Sequence, residues 1–427
     1  MDPNLFVIGL NYRTVPLEVR ERFWIGQTMM VEALRDLAGM PGAEEAAILA
    51  TCNRVEFILW TGDCAAAANS VLDFLVRRHA LQLCQWKHFY RLLGADALQH
   101  VFRVASSLDS MIVGEPQILG QVKDAWATAQ QAGTCGRYLD AVFRKAVTVS
   151  RRVRNETAIG TSTVSVPSAA VELARSLLGE LRGRQILIIG AGKMGELSAR
   201  YLLNGAGTVC VTNRTFGHAE ELAARLGATA VPFEERWRHL ADADVVLTST
   251  GCPHVIISRE DAERIRRDRQ DRPLYFIDMA MPRDIDPSVR EVPGMFVYDL
   301  DDLGKIVARN RNGRASAAAS AERIVASEAQ AFRQQLASEA VAPTLAALHH
   351  RLEEIRQQEI ARHTFASAEE QRAMDALTSR IVQRIGRTLA RELKGIEERP
   401  EQERMTNALR RLFQLAPPEK GWPAPPP

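Results

Sequence analysis

Residues 186–203 read ILIIGAGKMGELSARYLL. Four apolar residues, Ile186 to Ile189, run straight into Gly190, Ala191, Gly192, Lys193, Met194 and Gly195, and a helical pattern follows from Glu196 to Leu203. A G-x-G-x-x-G string alone says little. A strand before it and a helix after it are the context in which it holds a dinucleotide. The first glycine permits a tight turn, the second lets a pyrophosphate approach the backbone, and the third lets the helix pack on the strand. The helix N-terminus then faces the phosphates. The next strand, Val209 to Thr212, ends in Asn213, Arg214 and Thr215. NAD sites usually place a carboxylate there for the ribose 2′-hydroxyl. A carboxylate would repel a 2′-phosphate and Arg214 would attract it, so the expected cofactor is NADPH. The other reading of Arg214 is a solvated surface arginine.

Around this loop, short apolar runs alternate with helical stretches at Val209 to Thr212, Val245 to Thr248, Leu274 to Ile277 and Met295 to Tyr298. Alternation of this kind favours a parallel sheet covered by helices on both faces. Toward the N-terminus, strands are expected at Leu5 to Leu10, Ala46 to Ala50 and Val55 to Trp60. Helices are expected at Leu17 to Arg22 and Met29 to Leu37, then helix alone from Cys64 to about Thr157. The last third shows almost no strand signal. Met374, Leu377, Ile381, Ile385 and Leu389 step by three or four, as one face of a helix does. Helices with such a stripe and no sheet to cover need each other, or a second copy of the chain. The end, APPEKGWPAPPP, has the composition of a disordered tail.

A chain of 427 residues exceeds one ordinary core, so an α/β multidomain protein is expected. With 54 basic and 52 acidic side chains, net charge is +2, and any nucleic-acid surface must be a local patch. Two candidates are Arg144, Lys145, Arg151, Arg152 and Arg154, and Arg264, Arg266, Arg267 and Arg269. The N-terminus lacks a basic leader, and no apolar run reaches about 18 residues, so no membrane segment is expected. The 6 cysteines form no CxxC pair and no Cys/His cluster with zinc spacing, so no metal site is expected. That usage suits reduced thiols and a cytoplasmic location.

A second stretch, residues 48–59, reads ILATCNRVEFIL. Two strand-like runs meet at Thr51, Cys52, Asn53 and Arg54. A thiolate is a strong nucleophile and a nearby cation lowers the pKa of a thiol. Arg54 lies two residues on, and its guanidinium can grip a carboxylate with two parallel hydrogen bonds. The bland alternative is a small packed thiol beside a turn. Farther along, Pro116 suits a first helical turn, and Gln117 and Gln121 share a helix face where two amides can bind the polar ends of an amino acid. His100 lies opposite the stripe of Leu98, Val101, Phe102 and Ala105 and so should face solvent or a cleft.

Gly9-Leu10-Asn11, Thr51-Cys52-Asn53-Arg54, Ser110 with Gly114-Glu115-Pro116-Gln117-Ile118-Leu119-Gly120-Gln121-Val122-Lys123, and the Gly190 to Gly195 loop together resemble the glutamyl-tRNA reductase family. The likeness runs from about Phe6 to Leu415. It departs at Tyr12-Arg13, where relatives often carry His-Lys. The resemblance implies an N-terminal α/β catalytic domain over 1–160 and a Rossmann-like NADP-binding domain over 161–312. A helical dimerisation domain over 313–416 and a disordered tail over 417–427 would follow. It implies NADPH-dependent reduction of glutamyl-tRNA(Glu) to glutamate-1-semialdehyde, the first step of the five-carbon route to tetrapyrroles such as haem. Cys52 would attack the ester, release tRNA and form a thioester. Thr51, Asn53, Arg54, Ser110, Glu115, Pro116, Gln117 and Gln121 would line the glutamate site, and His100 would matter for activity. Partners would be a second copy, through the C-terminal helices, and the aminomutase that consumes the aldehyde. Thiol and nicotinamide fall in different domains, so a domain closure is expected in turnover. Two other readings stay open: an NADP-dependent oxidoreductase acting on a free small molecule, and a non-catalytic tRNA-binding scaffold.

Overall fold

The computed structural model describes residues 4–79, 81, 83–161, 165–203, 207–270, 272–309, 315–396 and 399–415. The tail expected over 417–427 lies outside them. The chain divides into two compact units, residues 4–325 and residues from 326 onward.

The first unit opens with β1 (Asn4–Asn11), α1 (Leu17–Arg20), α2 (Gln27–Ala38), β2 (Glu45–Ala50), β3 (Arg54–Thr61) and α3 (Cys64–His79). Then come β4 (Tyr90–Leu93), α4 (Gly94–Ala105), α5 (Gln117–Ala132) and α6 (Arg137–Glu156). The four strands form an antiparallel sheet in the order β2-β3-β1-β4. β3 is buried along its whole length, which is why it reads as an apolar run and not as an alternation. β4 was not expected, since it interrupts a stretch that reads as helix. It is a four-residue edge strand whose only support is its pairing with β1, so it has no local signature.

The same unit continues with α7 (Val166–Leu178), β5 (Gln185–Ile189), α8 (Lys193–Leu203), β6 (Thr208–Thr212), α9 (Phe216–Leu226) and β7 (Thr229–Val231). It goes on through α10 (Arg236–Asp242), β8 (Val245–Thr248), α11 (Arg259–Asp268), β9 (Leu274–Asp278), β10 (Met295–Tyr298) and α12 (Leu300–Arg309). The six strands are parallel, in the order β10-β9-β8-β5-β6-β7. β7, three residues long, is the one strand here that the apolar runs do not announce. Alternate residues serve alternate faces: Ile186, Ile188, Val209, Val211, Val245 and Leu247 enter one apolar cluster, and Leu187, Ile189, Val246 and Phe276 enter the other. The chain reverses direction across the sheet between β5 and β8, which makes the carboxyl ends of these strands the crevice where such folds bind ligands.

The first cluster also takes in Leu17 and Ile112, and Cys52 packs against it. The two sheets are therefore joined by shared apolar packing. Ion pairs rim the joint, with Arg283 bound to Glu21 at 2.6 Å and to Glu18 at 3.0 Å.

The second unit is helical. It holds most of α13 (Ala315–Arg362), with α14 (Ala368–Gly395) and α15 (Arg399–Leu412). Within it Arg410 Nε donates to Thr344 Oγ1 at 2.8 Å, and Gln402 Nε2 donates to the Leu393 carbonyl at 2.9 Å. On α14, Met374, Leu377, Ile381 and Ile385 are exposed, at 37–49%.

Candidate active site

Thr51 makes the joint between β2 and β3. Its N–H donates to the Arg54 carbonyl at 2.8 Å, and its Oγ1 accepts from the N–H groups of Asn53 and Arg54 at 3.1 and 3.2 Å. The turn projects Cys52 to a partly exposed position between two buried strands. The expected lowering of the thiol pKa by a neighbouring cation is not what the structure contains. Burial pushes the Cys52 thiol up to about 12, the Glu115 charge adds to the rise, and Arg20 and then Arg54 only oppose it. The pull of Arg54 is smaller than that of Arg20.

Arg54 is fully buried, and its Nη1 donates to Glu56 Oε1 at 2.6 Å and to Asp109 Oδ2 at 3.3 Å. Its Nη2 donates to the Asp109 carbonyl. A fork free to grip a substrate carboxylate is thus corrected to a buried charge with two acidic partners. His100 is corrected too. It is 7% exposed, with Nε2 2.8 Å from Glu56 Oε1. The helix carrying it packs on β1 and β4 and also on α5 and α6, so the face opposite its apolar stripe is covered. The Tyr90 hydroxyl donates to the same Glu56 oxygen. Burial alone would raise the Glu56 carboxyl, but His100 and Arg54 outweigh it and hold that carboxyl far below the usual range. Gly9 makes the arrangement possible. It pairs with Glu56 on one side and Tyr90 on the other, and a Cβ there would lie 2.7 Å from Glu56 Cγ. Arg13 and Tyr12 close the rim. Arg13 Nη2 lies 3.2 Å from Asp109 Oδ1, and the Tyr12 hydroxyl donates to the Ser110 carbonyl at 3.2 Å.

Ser110 and Glu115 are buried in the loop before α5, which is pinned by Gly114 N–H donating to the Ser107 carbonyl at 3.0 Å. Ser107 adopts φ 59°, a strained choice for a residue with a side chain. Pro116 is exposed and immediately precedes α5, while Gln117 and Gln121 are half-buried on its first turns. Burial pushes the Glu115 carboxyl up to about 7, against the pull of Arg154. Among the buried polar atoms without a hydrogen-bond partner are Asn53 Oδ1, Arg54 Nε, Glu56 Oε2, Glu115 Oε2, Gln117 Nε2 and Arg154 Nε. Such atoms are rare in folded proteins, and a polar ligand would satisfy them.

At the end of β5, Gly190 has φ 113°, and its N–H donates to the Thr212 carbonyl at 2.8 Å. A Cβ on Gly195 would lie 2.1 Å from the Gly190 carbonyl oxygen, whereas one on Gly192 would meet nothing within 4 Å. The loop is thus closed on its protein side and open at Gly192, as a phosphate cradle requires. The helix begins at Lys193, not at Glu196, so Gly195 lies in its first turn. Lys193 is exposed, and Met194 packs toward the apolar cluster. Asn213 serves the protein itself: its Oδ1 accepts from Ala191 N–H at 3.4 Å and its Nδ2 donates to the Thr215 carbonyl at 3.0 Å. Arg214 and Thr215 are exposed beside it.

Among the described residues no group of His, Cys, Asp and Glu side chains could hold a metal ion. No described helix is long and apolar enough to cross a membrane. Both basic stretches shrink. Arg269 is buried and donates to the carbonyls of Leu240, Ala241 and Pro273, and Arg154 donates to the Glu115 carbonyl at 2.9 Å.

Sequence reading missed Glu56, Tyr90, Asp109 and Arg20. One signal was available for the first: opposite charges at Arg54 and Glu56, two apart in an apolar strand, share a face and imply a buried pair.

Residues 8–157 match the family described as glutamyl-tRNAGlu reductase, N-terminal domain. Residues 172–306 match shikimate / quinate 5-dehydrogenase, and residues 320–415 match glutamyl-tRNAGlu reductase, dimerisation domain. Glutamyl-tRNA reductase 2 of Koribacter versatilis is 42% identical over 421 residues, spanning 96% of this chain and 95% of its own. Glutamyl-tRNA reductase of Trichlorobacter lovleyi is 42% identical over 419 residues, spanning 96% of each. The solved glutamyl-tRNA reductase from Methanopyrus kandleri is 31% identical, covers 97% of this chain and 100% of its own, and superposes with a TM-score of 0.50.

Proposed function

The chain belongs to the glutamyl-tRNA reductase family, and we propose that it reduces glutamyl-tRNA(Glu) to glutamate-1-semialdehyde with release of tRNA, opening the route to tetrapyrroles. The observation that carries this reading is the set of unpartnered buried polar atoms on the Cys52 turn and on the loop and first turn of α5, Asn53 Oδ1, Glu115 Oε2 and Gln117 Nε2 among them, with Cys52 itself packed against the apolar cluster of the parallel sheet.

In this reading the Cys52 thiolate attacks the ester carbonyl, the carbon–oxygen bond to the ribose breaks, and the departing tRNA hydroxyl takes a proton. The thiol needs an acceptor for its own proton. The Glu115 carboxyl, which titrates near 7 and whose charge acts on Cys52, supports that role. Asn53 Oδ1 and Glu115 suit the substrate ammonium, and Gln117 Nε2 suits its carboxylate, with Thr51, Ser110, Pro116 and Gln121 around them. The Gly190–Gly195 loop would hold NADPH, with Arg214 available to its 2′-phosphate, and the bound cofactor would supply the hydride that takes the thioester to a thiohemiacetal on Cys52. The Cys52 sulfur then leaves as thiolate and the cycle closes. Arg54 and His100 act from the buried ion cluster, one step behind the thiol.

Two copies pair through the C-terminal helices, a reading supported by the exposed apolar row on α14 and by the match to a dimerisation domain. The division at 1–160, 161–312 and 313–416 belongs to the same proposal, as does delivery of the aldehyde to an aminomutase. The five described cysteines are free thiols, which supports a cytoplasmic location.

The experiment is oxidation of NADPH by the protein with glutamyl-tRNA, followed by absorbance, for the wild type and Cys52→Ala. Removing the nucleophile should cut turnover at least about 10³-fold. Oxidation only with a free metabolite would select a small-molecule oxidoreductase. Binding of tRNA without oxidation would select a scaffold.

A further inference from the structure

Arg20 is fully buried at the C-terminal end of α1, a helix of four residues. A buried guanidinium costs several kcal/mol of desolvation unless its N–H groups are all engaged. Those of Arg20 are spread over three partners. Nη1 donates to the Val15 carbonyl at 2.9 Å, Nε donates to the Cys52 carbonyl at 3.3 Å, and Nη2 pairs with Asp301 Oδ1 at 2.7 Å. Asp301 opens α12, on the dinucleotide-binding side of the joint, and its other oxygen accepts from Leu17 N–H at 3.0 Å. One carboxylate from the cofactor-binding sheet region thus grips both the start and the end of α1. Through Arg20 it reaches the backbone of the residue that carries the thiol.

We propose that Arg20 is a positioning residue for Cys52, and that Asp301 makes that positioning depend on the docking of the dinucleotide-binding region against the thiol's own sheet. The proposal rests on Cys52 being the nucleophile. The guanidinium fixes the Cys52 carbonyl, and with it the direction in which the side chain leaves the β2–β3 turn. It is also a formal positive charge close to the sulfur. Three charged groups act on the thiol: Glu115 from the loop before α5, which opposes ionisation, and Arg20 from α1 and Arg54 from β3, which favour it. Of the two cations, Arg54 is matched by Glu56 and Asp109, whereas among the described residues Arg20 is matched by Asp301 alone. Undocking would remove that carboxylate and loosen the cation that holds the Cys52 backbone.

The test is the rate at which iodoacetamide alkylates Cys52, read peptide by peptide by mass spectrometry across pH, in the full-length wild type, Arg20→Gln, Arg20→Lys and Asp301→Asn. Turnover with glutamyl-tRNA and NADPH is measured alongside. Arg20→Gln should move the alkylation midpoint to higher pH and lower kcat at least about tenfold, with KM for glutamyl-tRNA within about twofold. Asp301→Asn should also lower kcat, by less, without raising the midpoint, because it removes a negative charge, and Arg20→Lys should recover part of the midpoint. An unchanged Cys52 profile in Arg20→Gln, or a wild-type kcat in Asp301→Asn, overturns the proposal. So does a loss confined to melting temperature, because a purely structural arginine would show that alone. A fully active Cys52→Ala would instead overturn the nucleophile reading, and this proposal with it.

Discussion

At the end of β5, everything that shapes the glycine loop lies within about thirty residues of it or on the neighbouring strand. Gly190 bonds to Thr212, Ala191 to Asn213, and Gly195 fits under the Gly190 carbonyl. At the end of β2, the thiol has surroundings drawn from Arg20, Arg54, Glu115 and, through Arg20, Asp301. The first site is backbone made permissive by missing side chains. The second is a balance of buried charges, each bearing on the others. The difference teaches that the shape of a loop can be written as a short string, because sterics are local, whereas the charge balance around a thiol cannot, because electrostatics act through space.

The largest expected effect breaks the charge balance. Glu56→Gln leaves Arg54 and His100 buried with Asp109 alone and should cost about 3–5 kcal/mol in urea unfolding. The Glu56 pKa is depressed in the fold, so its contribution is present above the ordinary carboxylate range and is lost as pH falls below it. The acid limb of the stability curve should therefore flatten in the variant. A variant as stable as wild type at every pH would reduce the cluster to packing.

Glu115 has the opposite sign. Its folded pKa is raised from 4.5 to about 7, so the protonated form favours folding below pH 4.5 and that advantage is lost as pH climbs to about 7. Glu115→Gln should lack this limb and gain up to about 3 kcal/mol relative to wild type at pH 8, at about 1.4 kcal/mol per pH unit. Equal pH slopes in calorimetry would count against a strained carboxyl beside the thiol.

The steric site is sharpened by two variants. Gly195→Val collides with the Gly190 carbonyl and should weaken NADPH binding by roughly 100-fold in fluorescence titration, while acylation of Cys52 by glutamyl-tRNA continues. Loss of acylation as well would mean the two sites are not separable. The smallest effect is at Arg214, exposed at the edge of the loop. Arg214→Glu should shift preference from NADPH toward NADH about tenfold, through loss of one charge–phosphate contact. An unchanged cofactor ratio would reassign Arg214 to the solvated surface.

How much could be read in advance follows from the same distinction. The strands β5, β6, β8, β9 and β10 stand out as apolar runs because both faces of the parallel sheet are covered. β4 and β7 do not, because β4 has no buried residue and β7 has one. Cys52 stood out as a thiol at a strand joint, but the state of its charge did not. Arg54 read as a free cation because the carboxylate of Asp109 lies 55 residues away in the chain. His100 read as exposed because one apolar stripe marks one buried face, and α4 has two.

By itself the chain's order of residues determined the three-segment plan, the dinucleotide loop, the thiol between two strands and the apolar row on α14. Each of these is a matter of periodicity or of a residue type required by nearby backbone. Only the tertiary structure decided which charges are paired and which polar atoms are left without partners, and that Arg20 ties Cys52 to Asp301. Those properties depend on distances between segments far apart in the chain, and charge pairing and desolvation follow distance and burial, not sequence separation.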